Sequence, residues 1–288
     1  MDQTTEQQGE LTDRQKREAA YYDQYSTTHE LQKVDFAPAT SDQLRPWSPY
    51  WSLIREVRNV YQHSGQKLLE FGCGMGATSV VLAKVGFHVT GIDISEGNCR
   101  VARKLAAQCD LQDRCEFHVM PGENLAFDDN SFDVVTGVDI LHHVDVPVVL
   151  DQLSRVLKPG GVAIFKEPLG DTILERIRES KLLLKIAPRD SSQDDHVHIT
   201  EDERKLTLEE INLIRDTFEV QSERRFSVLQ RFYRLLPRKM WNMVWKLQRA
   251  DYEIMKRCKT YERLGDIGLF VCRKPMAQET AKPTRMAA

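Results

Sequence analysis

KLLEFGCGMGATSVVLAKVGFHVTGIDIS, residues 67–95, joins two apolar strands through a glycine-punctuated turn and a helix. Leu68 and Leu69 open the first strand and Glu70 closes it. Gly72, Gly74 and Gly76 then lead into a helical run that stops at Gly86. Glycines at alternate positions let the backbone turn tightly and approach a bound molecule, because no Cβ stands in the way. The second strand, Phe87 to Ile92, ends at Asp93, a carboxylate 17 residues beyond Gly76. An acid at the end of the second strand is placed to grip the vicinal hydroxyls of a ribose-bearing ligand.

Two further landmarks follow in order. Asp128-Asp129-Asn130-Ser131-Phe132-Asp133-Val134-Val135 precedes Leu141-His142-His143-Val144, and Leu157-Lys158-Pro159-Gly160-Gly161 precedes another strand. With Glu70-Phe71-Gly72-Cys73-Gly74-Met75-Gly76 and Asp93, these resemble the ordered motifs of class I S-adenosylmethionine-dependent methyltransferases over roughly residues 50–168. The resemblance implies an α/β fold: a doubly wound, mostly parallel seven-stranded Rossmann-like sheet with an antiparallel edge strand, here with a helical insertion. It implies S-adenosyl-L-methionine as cofactor, with Glu70 ordering the loop and meeting the cofactor amine and Asp93 accepting from both ribose hydroxyls. Gly72, Cys73, Gly74, Gly76, Ile94, Glu123, Asn124 and Gly137 complete the expected cofactor wall. Relatives often carry an aspartate where Met120-Pro121-Gly122-Glu123-Asn124 has Pro121, so Glu123 or a backbone group is expected to meet the adenine instead.

A dinucleotide-dependent oxidoreductase competes, because Gly72 to Ala77 also satisfies the looser G-x-G-x-x-A fingerprint. Glu70 argues against it: an acid just before the first glycine faces a pyrophosphate with like charge but suits an ammonium. A non-catalytic methyltransferase-like binding module is the other alternative, disfavoured by the intact glycines and acids.

Composition bounds the rest. The 288 residues are 41% hydrophobic and 29% charged, enough for a sizeable core. With 40 basic and 43 acidic side chains the net charge is -3, so no global basic field draws the chain to nucleic acid. Six cysteines without a C-x-x-C pair fit a reducing cytoplasm, and no metal site is expected. No stretch is long and apolar enough to span a bilayer, and the N-terminus lacks a signal pattern. A cytoplasmic location is expected.

In chain order, residues 1–12 and 275–288 read as disordered tails around one domain, 13–274, with a core at 48–168. Asp13 to Tyr25 reads as a helix whose Tyr21, Tyr22 and Tyr25 pack as a flap; in several relatives such a helix covers the cofactor. Ser48-Pro49 starts a helix with Leu53, Ile54 and Val57 on one face. Asp145 caps another, which Pro159-Gly160-Gly161 is expected to stop, with Lys158 at its negative end and a strand from Val162. Residues 170–217 supply a helix over 171–186, an acidic stretch over 188–203 that reads equally as lid or solvated connection and contains His196 and His198, and a helix from Leu208 behind a Thr207–Glu210 capping box.

The last two strands are separated by an insertion, residues 230–264. Between Glu223 and Arg263 twelve Lys or Arg face four acids. Met240, Trp241, Val244, Leu247, Ile254 and Met255 are expected near one helical face. A pocket-shaping cap is favoured over two other readings, peripheral membrane contact through residues 231–258 and a homo-oligomer surface.

For chemistry, the resemblance implies in-line methyl transfer to an O, N or C nucleophile of a small-molecule acceptor, with a membrane-associated enzyme acting on a quinone or lipid precursor as the alternative. His143 is the first candidate general base and His142 the second. A structural role at the strand-to-helix turn weighs at least equally.

Overall fold

The computed structural model describes residues 11–28, 33–41, 45–172, 204–230 and 243–276. Strand β1, Lys67–Phe71, is buried from Leu68 onward without alternation. That pattern belongs to a strand covered on both faces. Its parallel neighbours are β2, His88–Asp93, and β4, Phe132–Val138, and β2 in turn carries β3, Cys115–Val119. The sheet runs β3-β2-β1-β4-β5-β7-β6, with β5 at Leu157–Pro168, β6 at Glu219–Phe226 and β7 at Ile267–Arg273. β7 is antiparallel to both its neighbours. The order reverses between β1 and β4, where open α/β sheets hold their ligands at the strands' carboxyl ends.

Helices cover both faces. On one, α2 (Ala37–Thr40), α3 (Pro49–Val60), α4 (Ala77–Val85) and α5 (Glu96–Gln108) contribute Ala39, Leu53, Val80 and Ala102 to a core shared with Leu68, Val89 and Ile164. On the other, α6 (Val146–Val156) and α7 (Leu208–Thr217) pack Leu150, Leu153, Ile211 and Ile214 against Leu69, Val135 and Phe165. The expected caps are present. Ser48 accepts from Trp51 N and Asp145 from Val148 N, and Thr207 and Glu210 form the full capping box; Ser95 likewise accepts from Asn98 N.

Two expectations need correction. Pro159-Gly160-Gly161 does not separate α6 from a strand at Val162, because β5 already begins at Leu157, opposite Phe132. Gly160, at φ 74°, lets the chain turn, and its N–H donates to Lys274 O (3.0 Å) while Lys274 N–H donates to Gly161 O (2.9 Å). Lys158 accordingly pairs with Asp133 at 2.6 Å instead of capping a helix. Of the apolar stripe expected in the insertion, Met255 is buried beside Asp251 but Ile254 is 40% exposed, so Ile254 does not belong to the buried face. The insertion forms α8, Val244–Met255, and α9, Lys259–Glu262. The helix expected over 171–186, from residue 173 onward, the acidic stretch with His196 and His198, Met240, Trp241 and most of both tails lie outside the described residues.

The N-terminal helix α1, Asp13–Thr28, lies on α5. Asp23 Oδ1 accepts from Ser95 Oγ (2.6 Å) and Gly97 N (2.8 Å). A Cβ at Gly97 would stand 2.2 Å from Ser26 Oγ, so the close approach of the two helices uses that glycine.

Candidate active site

A cavity of about 230 Å³ lies at the carboxyl ends of β1, β2 and β4. Gly72 and Gly74 form its floor, Asp93, Ile94 and Asn98 one side, and Met120 to Glu123 another. Asp139, Ile140 and His143 supply the far wall. The fourth side is α1, through Arg14, Gln15, Glu18 and Tyr22. The helix read as a packed flap is therefore also part of the cavity wall.

Asp93 is hydrogen-bonded at both oxygens. Oδ2 accepts from Gly74 N (2.9 Å), and Oδ1 from Ser95 N (2.9 Å) and Asn98 Nδ2 (3.2 Å). A carboxylate offers about four lone-pair sites, so about one is left, on Oδ2. Burial pushes the Asp93 pKa up, against the lowering effect of these donors. Beside it, Asn98 Oδ1 is buried in the cavity wall without a hydrogen-bond partner. Asn98 escaped the sequence reading because it looks like any polar residue in the first turn of a helix.

Glu70 lies behind the cavity wall and does not line it. It is 2% exposed, with Ser79 Oγ of α4 donating to its Oε2. Burial, with the Asp93 charge adding to it, pushes its pKa up to about 8. Its geometry fits the ordering of the loop. Above its unfolded value near 4.5 the unfolded chain loses this proton first, so stability is complete below that pH and declines as pH rises to about 8, by on the order of 5 kcal/mol in full. Thermal unfolding of Glu70→Gln across that window should show the decline removed; an unchanged slope would contradict the assignment.

Cys73 is buried, its thiol pKa pushed up by the Cys99 side chain and by burial, and it does not face the cavity. Gly76 packs the loop on α5: at φ 82°, an added Cβ would lie 2.9 Å from Ala102 Cα. Gly137 is covered by Ile140, and Asn124 also lies off the wall. Glu123 faces the cavity while accepting from Gln15 Nε2 (2.9 Å) and Asp145 N (3.3 Å).

The histidines divide. His142 is 3% exposed and turned away from the cavity, its Nδ1 2.8 Å from Glu167 Oε2. Glu167, wholly buried, also accepts from Ile140 N (2.9 Å) and Leu141 N (2.8 Å), pinning the 3-10 turn Leu141–His143. His143, next along that turn, lines the cavity, with Nδ1 3.7 Å from Glu18 Oε1 and Tyr22 edge-on at 6.3 Å. Asp139, at φ 53°, is held by an ion pair with Lys166 and by its N–H to Lys166 O (2.8 Å). A non-glycine residue in that backbone region beside a cavity marks a constrained site.

Residues 69–165 match the family model of the methyltransferase domain. Over this segment, about a third of the chain, the sequence is similar to that family. The chain is 40% identical over 104 residues to a ubiquinone biosynthesis O-methyltransferase of Psychrobacter arcticus, covering 35% of this chain and 40% of that protein. It is 40% identical over 115 residues to a demethylmenaquinone methyltransferase of Clavibacter sepedonicus, covering 40% and 46%. The chain thus spans less than half the length of these curated relatives. In fold it is similar to the geranyl diphosphate C-methyltransferase from Streptomyces coelicolor A3(2), with a TM-score of 0.54 over 92% of this chain and 99% of that one at 15% identity.

Among the described residues, no group of three or more His, Cys, Asp or Glu could hold a metal ion, and no helix is long and apolar enough to cross a membrane.

Proposed function

We propose that the protein is an S-adenosylmethionine-dependent methyltransferase acting on a small-molecule acceptor. The observation that carries this reading is the glycine loop tied to Asp93 at the switch point, with polar groups that have hydrogen-bonding capacity left around one cavity. Those groups suit the cofactor. Arg14 Nε and Nη2 are buried without a hydrogen-bond partner and fit a carboxylate; Asp93 Oδ2 and Asn98 Oδ1 fit two ribose hydroxyls. Met120 and Ile94 offer apolar contact to an adenine. When bound, S-adenosylmethionine supplies an activated methyl group whose departure leaves a neutral thioether.

The chain's own residues then have three tasks. The loop and α1 hold the donor in place, which contributes by alignment, where effective molarities reach roughly 10⁵ M or more. Closure by α1 excludes water from the reacting groups. His143 takes the proton of the acceptor nucleophile, and Glu167 acts through His142 and the turn to position it. Two of the relatives named above are, by their names, a ubiquinone biosynthesis O-methyltransferase and a demethylmenaquinone methyltransferase. An acceptor with an apolar body suits a wall that includes Ile140 and Val144.

The test is transfer of labelled methyl from S-adenosylmethionine to a cell extract and then to the acceptor so identified. His143→Ala should lower turnover on the order of 10²-fold or more while cofactor affinity stays unchanged. Equal turnover would remove the proton-transfer role from His143, and no transfer to any acceptor would count against the enzyme reading.

A further inference from the structure

The insertion is fastened at the sheet edge that carries the cavity. Asp251 of α8, 2% exposed, accepts from Val228 N (3.0 Å), Leu229 N (2.9 Å), Gln230 N (3.3 Å) and the Tyr261 hydroxyl (2.6 Å). Val228 lies just beyond Phe226, which pairs with Ile267 opposite Pro168, the carboxyl end of β5. The clasp therefore sits at the carboxyl edge, although no described residue of α8 or α9 lines the cavity.

From this anchor α8 presents Trp245, Arg249, Tyr252 and Lys256, spaced four, three and four residues apart, which places them on one stripe. Trp245 is 49% exposed, and Arg249 and Lys256 are exposed. Cations lie over the rings: Lys246 Nζ 5.6 Å from the Trp245 centroid, Lys256 Nζ 5.4 Å from Tyr252 and Arg249 5.5 Å from Trp47. Arg45 stands 4.3 Å over Trp51 next to Trp47. Arg257, Lys259 and Arg263 extend the positive surface, and Glu253 is the exposed acid of α8.

We propose that this rim docks the protein on an anionic phospholipid bilayer with the carboxyl edge of the sheet toward the lipid. Tryptophan and tyrosine suit the headgroup level, and cations beside them are drawn to an anionic leaflet. Because the whole chain carries -3, general electrostatic attraction cannot supply the contact, and the rim also sets the orientation. Nucleic acid fits less well, since cations already cover ring faces on which bases would stack. The proposal stands apart from methyl transfer, but it gives an apolar acceptor a short route from the bilayer.

The test is flotation of the full chain with vesicles of phosphatidylcholine alone or with about one-third phosphatidylglycerol. Binding is expected only to the anionic vesicles and should weaken steeply with added salt. The variant W245A/K246E/R249E/K256E should bind on the order of 100-fold more weakly while still binding S-adenosylhomocysteine, which separates this result from a failed fold or a failed cofactor reading. Equal flotation on both vesicle types, or equal binding by the variant, would overturn the proposal. So would a wild-type dimer or oligonucleotide complex that the variant loses while neither protein floats with lipid.

Discussion

Asp93→Ala should lower the affinity for S-adenosylmethionine by on the order of 10²-fold or more, because charge-assisted hydrogen bonds of about 1.5–3 kcal/mol each are lost at the ribose and in the loop. The substitution acts twice. It removes an acceptor for the ligand and frees the donors of Gly74, Ser95 and Asn98 that hold the loop to β2 and α5. Asn98→Ala separates these effects, since it removes Oδ1 from the cavity wall and leaves the Gly74 and Ser95 contacts with Asp93. A smaller loss of affinity is expected there. Calorimetric titration of both variants checks the order; equal affinity of Asp93→Ala and wild type would remove the ribose contact.

Glu167→Ala should be the most destabilising substitution around the turn, at about 3–5 kcal/mol. The Ile140 and Leu141 amides and His142 Nδ1 would lose their acceptor in a site that water does not reach. Glu167→Gln keeps an oxygen for the two amides and is expected to cost much less. Denaturant unfolding of the pair checks this, and equal stability of the two would contradict the pinning role. If Glu167→Gln folds normally, a drop in turnover with unchanged cofactor affinity would report displacement of His143 by the altered turn.

The order of elements was legible because each carries a local signal. Glycines at Gly72, Gly74 and Gly76, caps at Ser48, Asp145 and Thr207, and short apolar runs in β1 and β4 all act over a few residues. The start of β5 was not legible, because Pro159-Gly160-Gly161 stops helices in most settings, and pairing with distant Phe132 and Lys274 shows that this segment joins the sheet. The wall formed by α1 was hidden for a related reason. Arg14, Gln15, Glu18 and Tyr22 face the cavity, but a polar helix face that meets a ligand site looks in sequence like one that meets water. Likewise nothing local marks Asp251, whose partners lie more than twenty residues upstream and at Tyr261. The ranking of His143 ahead of His142 rested on no local signal, since neighbours in a 3-10 turn point to different sides and only the partner at Glu167 shows which is buried.

The most direct measurement is equilibrium calorimetry of the full, folded chain with S-adenosylmethionine and with S-adenosylhomocysteine. Saturable one-to-one binding of both, weakened in Asp93→Ala, is the expected result. The absence of any binding heat with either compound, at temperatures where the protein is folded and the binding enthalpy differs from zero, would contradict the cofactor assignment.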